Sequence, residues 1–144
     1  MLISLAAFAA FCVLRIPEGQ VYSLRRLGGS IRIVGAGLHF MLPLVERVSH
    51  KMSLSGSSIE IPGALSSGEP LQALVYFQVL DPQRADRVID SVDALLRQRV
   101  TTLLAGNSIP AEMGERRIWL KQSLNSEVRE RGLLVTRIDL RSAA

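Results

Sequence analysis

Apolar and polar positions along the chain change period several times, and each change marks a new element. Residues 1–14 are apolar almost throughout, with Ser4 the one polar side chain. As a helix this stretch would measure about 21 Å at ~1.5 Å per residue, short of the ~30 Å hydrocarbon core. No basic stretch precedes it and no small-x-small site follows before Arg15. It is therefore read as a membrane anchor rather than a signal peptide or a buried core helix. A one-leaflet wedge, a tilted marginal span and a span shortened by the choice of start site all fit this length. Arg15 can snorkel to the headgroups, and Pro17 ends the helix.

From Gln20 the pattern turns to period two and predicts strands. Gln20–Leu27 and Ser30–Val34 flank a Gly28-Gly29 turn. Val45–Leu54 follows, with Val48, His50, Met52 and Leu54 expected on one face, then Ser57–Ile61. Residues 62–70, rich in Gly and Ser, read as a loop. Leu71–Leu80 is β-rich and nearly continuous in apolar character, so it is the expected central strand. Between the second and third strands lies Gly35-Ala36-Gly37-Leu38-His39-Phe40-Met41-Leu42-Pro43-Leu44. Its glycines permit a sharp turn, and Pro43 cannot sit in the middle of a sheet. The apolar run is either core or, beside the N-terminal anchor, a second membrane contact dipping into the interface.

At Asp81-Pro82 the period becomes helical, with Asp as N-cap and Pro at the first helical position. This helix is expected to reach Asp90. A second, Val92–Ala105, carries Leu95, Leu96, Val100, Leu103 and Leu104 at helical spacing. A third, Glu115–Arg131, has Ile118, Leu120, Leu124 and Val128 on its apolar side, and Gly132 stops it. Leu133–Leu140 is a last strand, with Leu134, Thr136, Ile138 and Leu140 on one face. The fold class is α+β: an anchor (1–15), then one domain (16–141) of a β-rich half (16–80) and a helical half with the last strand (81–141), and a tail (142–144).

Charge changes this picture little. The net charge is +4, with two lysines, no Lys/Arg run longer than two and 5% aromatics. That is no stacking platform for bases, so nucleic acid is not an expected partner despite a pI near 10.0. Cys12 is the single cysteine, which excludes an intrachain disulfide and a Cys metal cluster. His39 and His50 have no Cys or carboxylate at metal-ligand spacing, and His39 reads as a packed, hydrogen-bonded loop residue. No Gly-x-Ser-x-Gly elbow or phosphate loop is present, and Gly35-Ala36-Gly37 is a fragment of a dinucleotide loop at best. No catalytic site, cofactor or metal is expected. The expected site is a membrane contact: Leu2, Ile3, Leu5, Phe8, Phe11, Val13 and Leu14 from the anchor, and Leu38, Phe40, Met41 and Leu42 from the loop. A membrane-associated hydrolase, or an accessory subunit of one, is the alternative, and only His39 and His50 could serve it as bases.

Several stretches resemble the SPFH (stomatin/prohibitin/flotillin, or band 7) family. They are Ile16-Pro17-Glu18-Gly19-Gln20-Val21, Leu24-Arg25-Arg26-Leu27-Gly28, Gly35–Phe40, Leu42-Pro43 and Val45-Glu46-Arg47-Val48. Later ones are Val75-Tyr76-Phe77-Gln78-Val79, Asp81-Pro82, Leu95-Leu96-Arg97, Gly132-Leu133, Val135-Thr136-Arg137-Ile138 and Leu140-Arg141. They run in order over residues 16–141 and look closest to bacterial stomatin-like slipins. The resemblance implies an α+β fold and a non-enzymatic, membrane-anchored scaffold. Such a scaffold oligomerises, organises lipid and protein neighbourhoods, and in some members regulates a membrane protease or channel. The sequence departs from the family in a short Gly63–Gly68 loop and in lacking the coiled coil that usually follows the last strand. Small oligomers through the globular domain, using the Asp81–Arg131 helices, are therefore expected in place of a full cage. Arg15, Arg25 and Arg26 after the anchor favour a cytoplasmic domain on a plasma or inner membrane.

Overall fold

A computed structural model describes residues 2–143. The chain divides into two compact units, Met1–Ser55 and Gly56–Ala144. Both are built on antiparallel sheet, and the helices other than the first lie in the second unit, so the α+β class holds. The stretch 16–80, read above as one half, is shared between the two units.

The first unit opens with α1 (Leu2–Phe11), followed by β1 (Val13–Ile16), β2 (Gln20–Arg26), β3 (Ile31–Val34), β4 (Gly37–Phe40) and β5 (Glu46–Ser53). β1 and β4 form a two-stranded ribbon, and β3-β2-β5 a three-stranded sheet. The expected helix over residues 1–14 is thus shorter. Val13 and Leu14 leave it because their backbones pair with Phe40 and His39 of β4. That ribbon also corrects the loop expected from Gly35 to Leu44, since four of its residues are strand. Gly37, at φ 120°, takes the backbone angle that a side chain would resist. Ile16, Tyr22, Leu24 and Val34 make the buried cluster of this unit, with Leu14, Met41 and Val48 packed against it.

A β-bulge shifts the β2/β5 register. Ser23 pairs with His50 but Leu24 with Val48, so Ser49 is the extra residue. Val48, expected to share a face with His50 and Met52, is turned to the opposite face and joins Leu24 in the cluster. Leu54 lies beyond the strand and is exposed.

In the second unit β6 (Ser57–Ala64), β7 (Pro70–Val79) and β8 (Leu133–Ser142) form a sheet with β7 in the centre, as its apolar run predicts. Leu71, Ala73, Val75, Phe77 and Val79 are buried at every second position. β6 runs three residues further than expected, through Pro62, because an edge strand tolerates a missing N–H. The helix expected from 82 to 90 is a single turn, α2 (Pro82–Ala85), and then 3₁₀ geometry over Ile89–Ser91. Its cap is as expected: Asp81 Oδ1 accepts from the backbone N–H of Gln83 (3.0 Å) and Arg84 (3.2 Å). The N–H groups of Val88 and Ser91 then bond three residues back, which tightens the chain and ends the α-helix.

α3 (Val92–Leu104) buries Val92, Leu96, Val100 and Leu104, and α4 (Met113–Val128) buries Arg116, Leu120, Leu124 and Val128. Ile118, expected on the apolar side of α4, is exposed, and Arg116 takes the buried position. Its guanidinium reaches the carbonyls of Pro110 and Ala111 at 3.1 Å each, so its stem is covered while its charge is hydrogen-bonded. Gly132 closes the helical stretch in the left-handed region at φ 78°. In β8 the expected face is only half right. Tyr76 pairs with Arg137 and Phe77 with Val135, so Thr136 is bulged out and the pattern inverts. The buried positions are Leu133 and Val135 before the bulge, and Ile138 and Leu140 after it. Asn125 of α4 caps the bulged edge: its Nδ2 donates to Val135 O at 2.9 Å and its Oδ1 accepts from Val135 N at 2.8 Å.

Candidate membrane-contact site

The strand register brings the end of the expected anchor beside the expected loop residues. α1 ends at Phe11, and the carbonyl of Cys12 accepts the Met41 N–H at 2.7 Å, extending the β1/β4 ribbon by one rung. The end of α1 and the start of the segment after β4 therefore adjoin. In the ribbon Val13 faces Phe40, and Arg15 faces Leu38. These four lie on the outer side, and Val13, Leu38 and Phe40 are exposed. Leu14 and Ile16 point to the inner side and pack in the cluster.

Beyond β4 the chain makes a tight turn over Leu42–Glu46, with the N–H groups of Val45 (2.9 Å) and Glu46 (2.7 Å) both donating to Leu42 O. A second turn, after β2, adjoins it: Leu27 N–H donates to Val45 O at 2.9 Å. Leu27, Leu42, Leu44 and Val45 are exposed on these turns. Leu27 and Val45 were not anticipated as contacts. A large apolar residue directly before the Gly28-Gly29 turn is the signal that would have found Leu27.

On α1, Leu2 (85% exposed), Ile3 (87%), Leu5, Phe8 and Phe11 are all open, and none of its residues is buried. Of the eleven expected residues, nine are exposed. Leu14 and Met41 are half-buried, held in the cluster. α1 is about 15 Å long at ~1.5 Å per residue, half the hydrocarbon thickness. Among the described residues no helix is long and apolar enough to cross a membrane.

Polar groups hold this apolar end in shape. Glu46, 5% exposed, accepts from Arg26 Nε at 2.7 Å, Arg32 Nη2 at 3.2 Å and the Leu42 backbone N–H at 3.4 Å. Arg32 Nη2 also donates to Phe40 O at 3.2 Å. One carboxylate thus ties β2, β3, the end of β4 and the following turn together. The Arg26 hydrogen bond, outweighing the opposing effect of burial and aided by the Leu42 N–H and the charge of Arg32, holds its pKa below the usual carboxylate value. The bulge at Ser49 is what makes the pairing possible. In an unbroken register Arg26 would face Arg47; displaced by one residue, it faces Glu46.

His39 is a strand residue of the ribbon rather than the expected loop residue, but it is hydrogen-bonded as expected, its Nε2 meeting Gly35 O at 2.7 Å. The carbonyl can only accept, so Nε2 is the donor of this bond. Cys12 is buried and free. Among the described residues no group of three or more His, Cys, Asp and Glu could hold a metal ion.

No protein-family model matches the chain. Known proteins do. The chain is 27% identical over 124 residues to stomatin-like protein stl-1 of Caenorhabditis elegans, covering 83% of this chain and 35% of that one. It is 25% identical over 124 residues to the mitochondrial stomatin-like protein 2 of Homo sapiens, covering 83% and 32%. It is 27% identical over 140 residues to an uncharacterised protein of Mycobacterium tuberculosis, covering 88% and 36%. The chain spans about a third of the length of these curated relatives. Similarity at this level over most of its residues makes the chain a relative of the stomatin-like proteins and supports the SPFH/band 7 relationship.

Proposed function

We propose that this chain is a non-enzymatic, membrane-associated scaffold module of stomatin-like type. The observation that carries the reading is the exposure of the apolar helix α1, whose end adjoins the exposed apolar residues of the β1/β4 ribbon. The large residues of α1 alone number five: Leu2, Ile3, Leu5, Phe8 and Phe11. At about 2 kcal/mol for each side chain taken out of water, on the order of 10 kcal/mol favours covering them. A bilayer supplies that cover. α1 then lies as a wedge in one leaflet, and the outer face of the β1/β4 ribbon, with the turn at Leu42–Glu46, enters the interface beside it.

The scaffold role continues through the second unit, which self-associates and can hold a membrane protease or channel. The exposed Ile118 on α4 is an apolar point for such contacts. The relationship to stomatin-like proteins supports this reading. Arg15, Arg25 and Arg26 close to this apolar end suit the anionic cytoplasmic leaflet of a plasma or inner membrane.

Co-flotation of the full chain with phosphatidylcholine vesicles tests the membrane reading. Wild type floats, and Phe8→Asp with Phe11→Asp lowers the floated fraction. A chain that stays at the bottom of the gradient in both forms refutes it.

A further inference from the structure

Beside the apolar turns lies a groove of about 330 Å³, walled by Arg25, Arg26, Glu46 and Arg47 and rimmed by Leu27, Leu44 and Val45. Arg25 and Arg47 stand directly opposite each other across β2 and β5. Like charges at such a position destabilise a sheet. Both side chains are exposed, and no ion pair to a carboxylate is found for either among the described residues. The one acid in the groove lining, Glu46, is already shared by Arg26 and Arg32. Glu46 is thus taken up by its two partners, and Arg25 and Arg47 leave net positive charge in the groove.

We propose that this groove takes the phosphate headgroup of an anionic phospholipid, a deepening that rests on the membrane reading above. An oxyanion bridging Arg25 and Arg47 turns their repulsion into two charge-assisted contacts, which the planar guanidinium fork suits. The rim decides between a lipid and a free anion. Leu27, Leu44 and Val45 would face acyl chains directly beside the phosphate, whereas a soluble phosphate would leave them in water. Aromatic side chains for stacking bases are missing from the groove lining, which disfavours nucleic acid.

The test compares flotation of the full chain on vesicles of phosphatidylcholine alone and with phosphatidylglycerol, read as the ratio of the two partition coefficients. Each arginine at an anionic surface contributes about fivefold, so Arg25→Gln with Arg47→Gln should lower the ratio roughly 30-fold. Arg97→Gln with Arg117→Gln, two exposed arginines of the second unit, removes the same net charge and should leave the ratio near wild type. Equal losses in the two variants would mean a diffuse surface effect and overturn the site. So would a ratio unchanged by Arg25→Gln with Arg47→Gln, or full release of wild type by millimolar glycerol phosphate. Wild type that binds phosphatidylcholine without preferring phosphatidylglycerol refutes the headgroup site alone; failure on both vesicles refutes the membrane reading as well.

Discussion

Glu46→Gln tests how the apolar end is held in shape. The change keeps volume and removes one charge from a side chain that is 3% exposed and accepts three hydrogen bonds. Two of these come from guanidinium groups, and a charge-assisted bond is worth about 1.5–3 kcal/mol. The arginine side chains are 55% and 42% exposed, so water can recover part of their share. A net cost of about 2 kcal/mol follows for the first unit. Hydrogen exchange reads it locally. The Leu27 and Glu46 amides, bonded to Val45 O and Leu42 O, should exchange roughly 30-fold faster in the variant if opening is pre-equilibrated. The pH dependence has a definite sign. Glu46 is more acidic when folded, so its contribution is complete above its unfolded pKa and is lost as pH falls through the folded one. The variant should therefore be the weaker protein at neutral pH and converge on wild type in acid. Equal exchange at neutral pH, or a difference that persists undiminished in acid, would refute the carboxylate's role.

Other perturbations probe the second unit and the contact face. Asn125→Ala leaves the N–H and C=O of Val135 without their side-chain partner at a buried position, and should cost about 2–4 kcal/mol in urea unfolding. Gly132→Ala should cost about 3 kcal/mol or more, because it combines a left-handed backbone with a Cβ driven against the Asp81 carbonyl. Leu38→Asp with Phe40→Asp, both on the outer face of the ribbon, should weaken vesicle flotation while leaving the circular dichroism of the chain unchanged. Met41→Asp is a poor substitute for either, since Met41 packs on the core cluster and its loss would unfold the first unit.

Order and type of most elements were legible because their patterns are local. β7 shows itself in a nearly continuous apolar, β-rich run, and Asp81-Pro82 places a helix start by chemistry that needs no distant partner. What escaped depends on pairing between remote segments. Val13–Ile16 and Gly37–Phe40 are four residues each, too short to show a period, and become strands only against one another. The bulges at Ser49 and Thr136 exchange faces without a strong composition signal, so Val48 and Val135 were assigned to the wrong sides. The burial of Arg116 escapes the helical period because its carbonyl partners, Pro110 and Ala111, lie in a turn whose path that period does not reveal. For the contact site, the apolar residues themselves were visible. Glu46, which links Arg26 and Arg32 across 20 and 14 residues, emerges only once the register is known.

Fluorescence from a single tryptophan at position 40 tests the membrane contact most directly. Phe40→Trp is combined with Trp119→Phe, and the full chain is bound to vesicles whose lipids carry bromine on the acyl chains. Insertion of the ribbon's outer face predicts blue-shifted emission and strong quenching. Emission that stays at the wavelength of water-exposed tryptophan, unquenched by brominated lipid, would contradict the account.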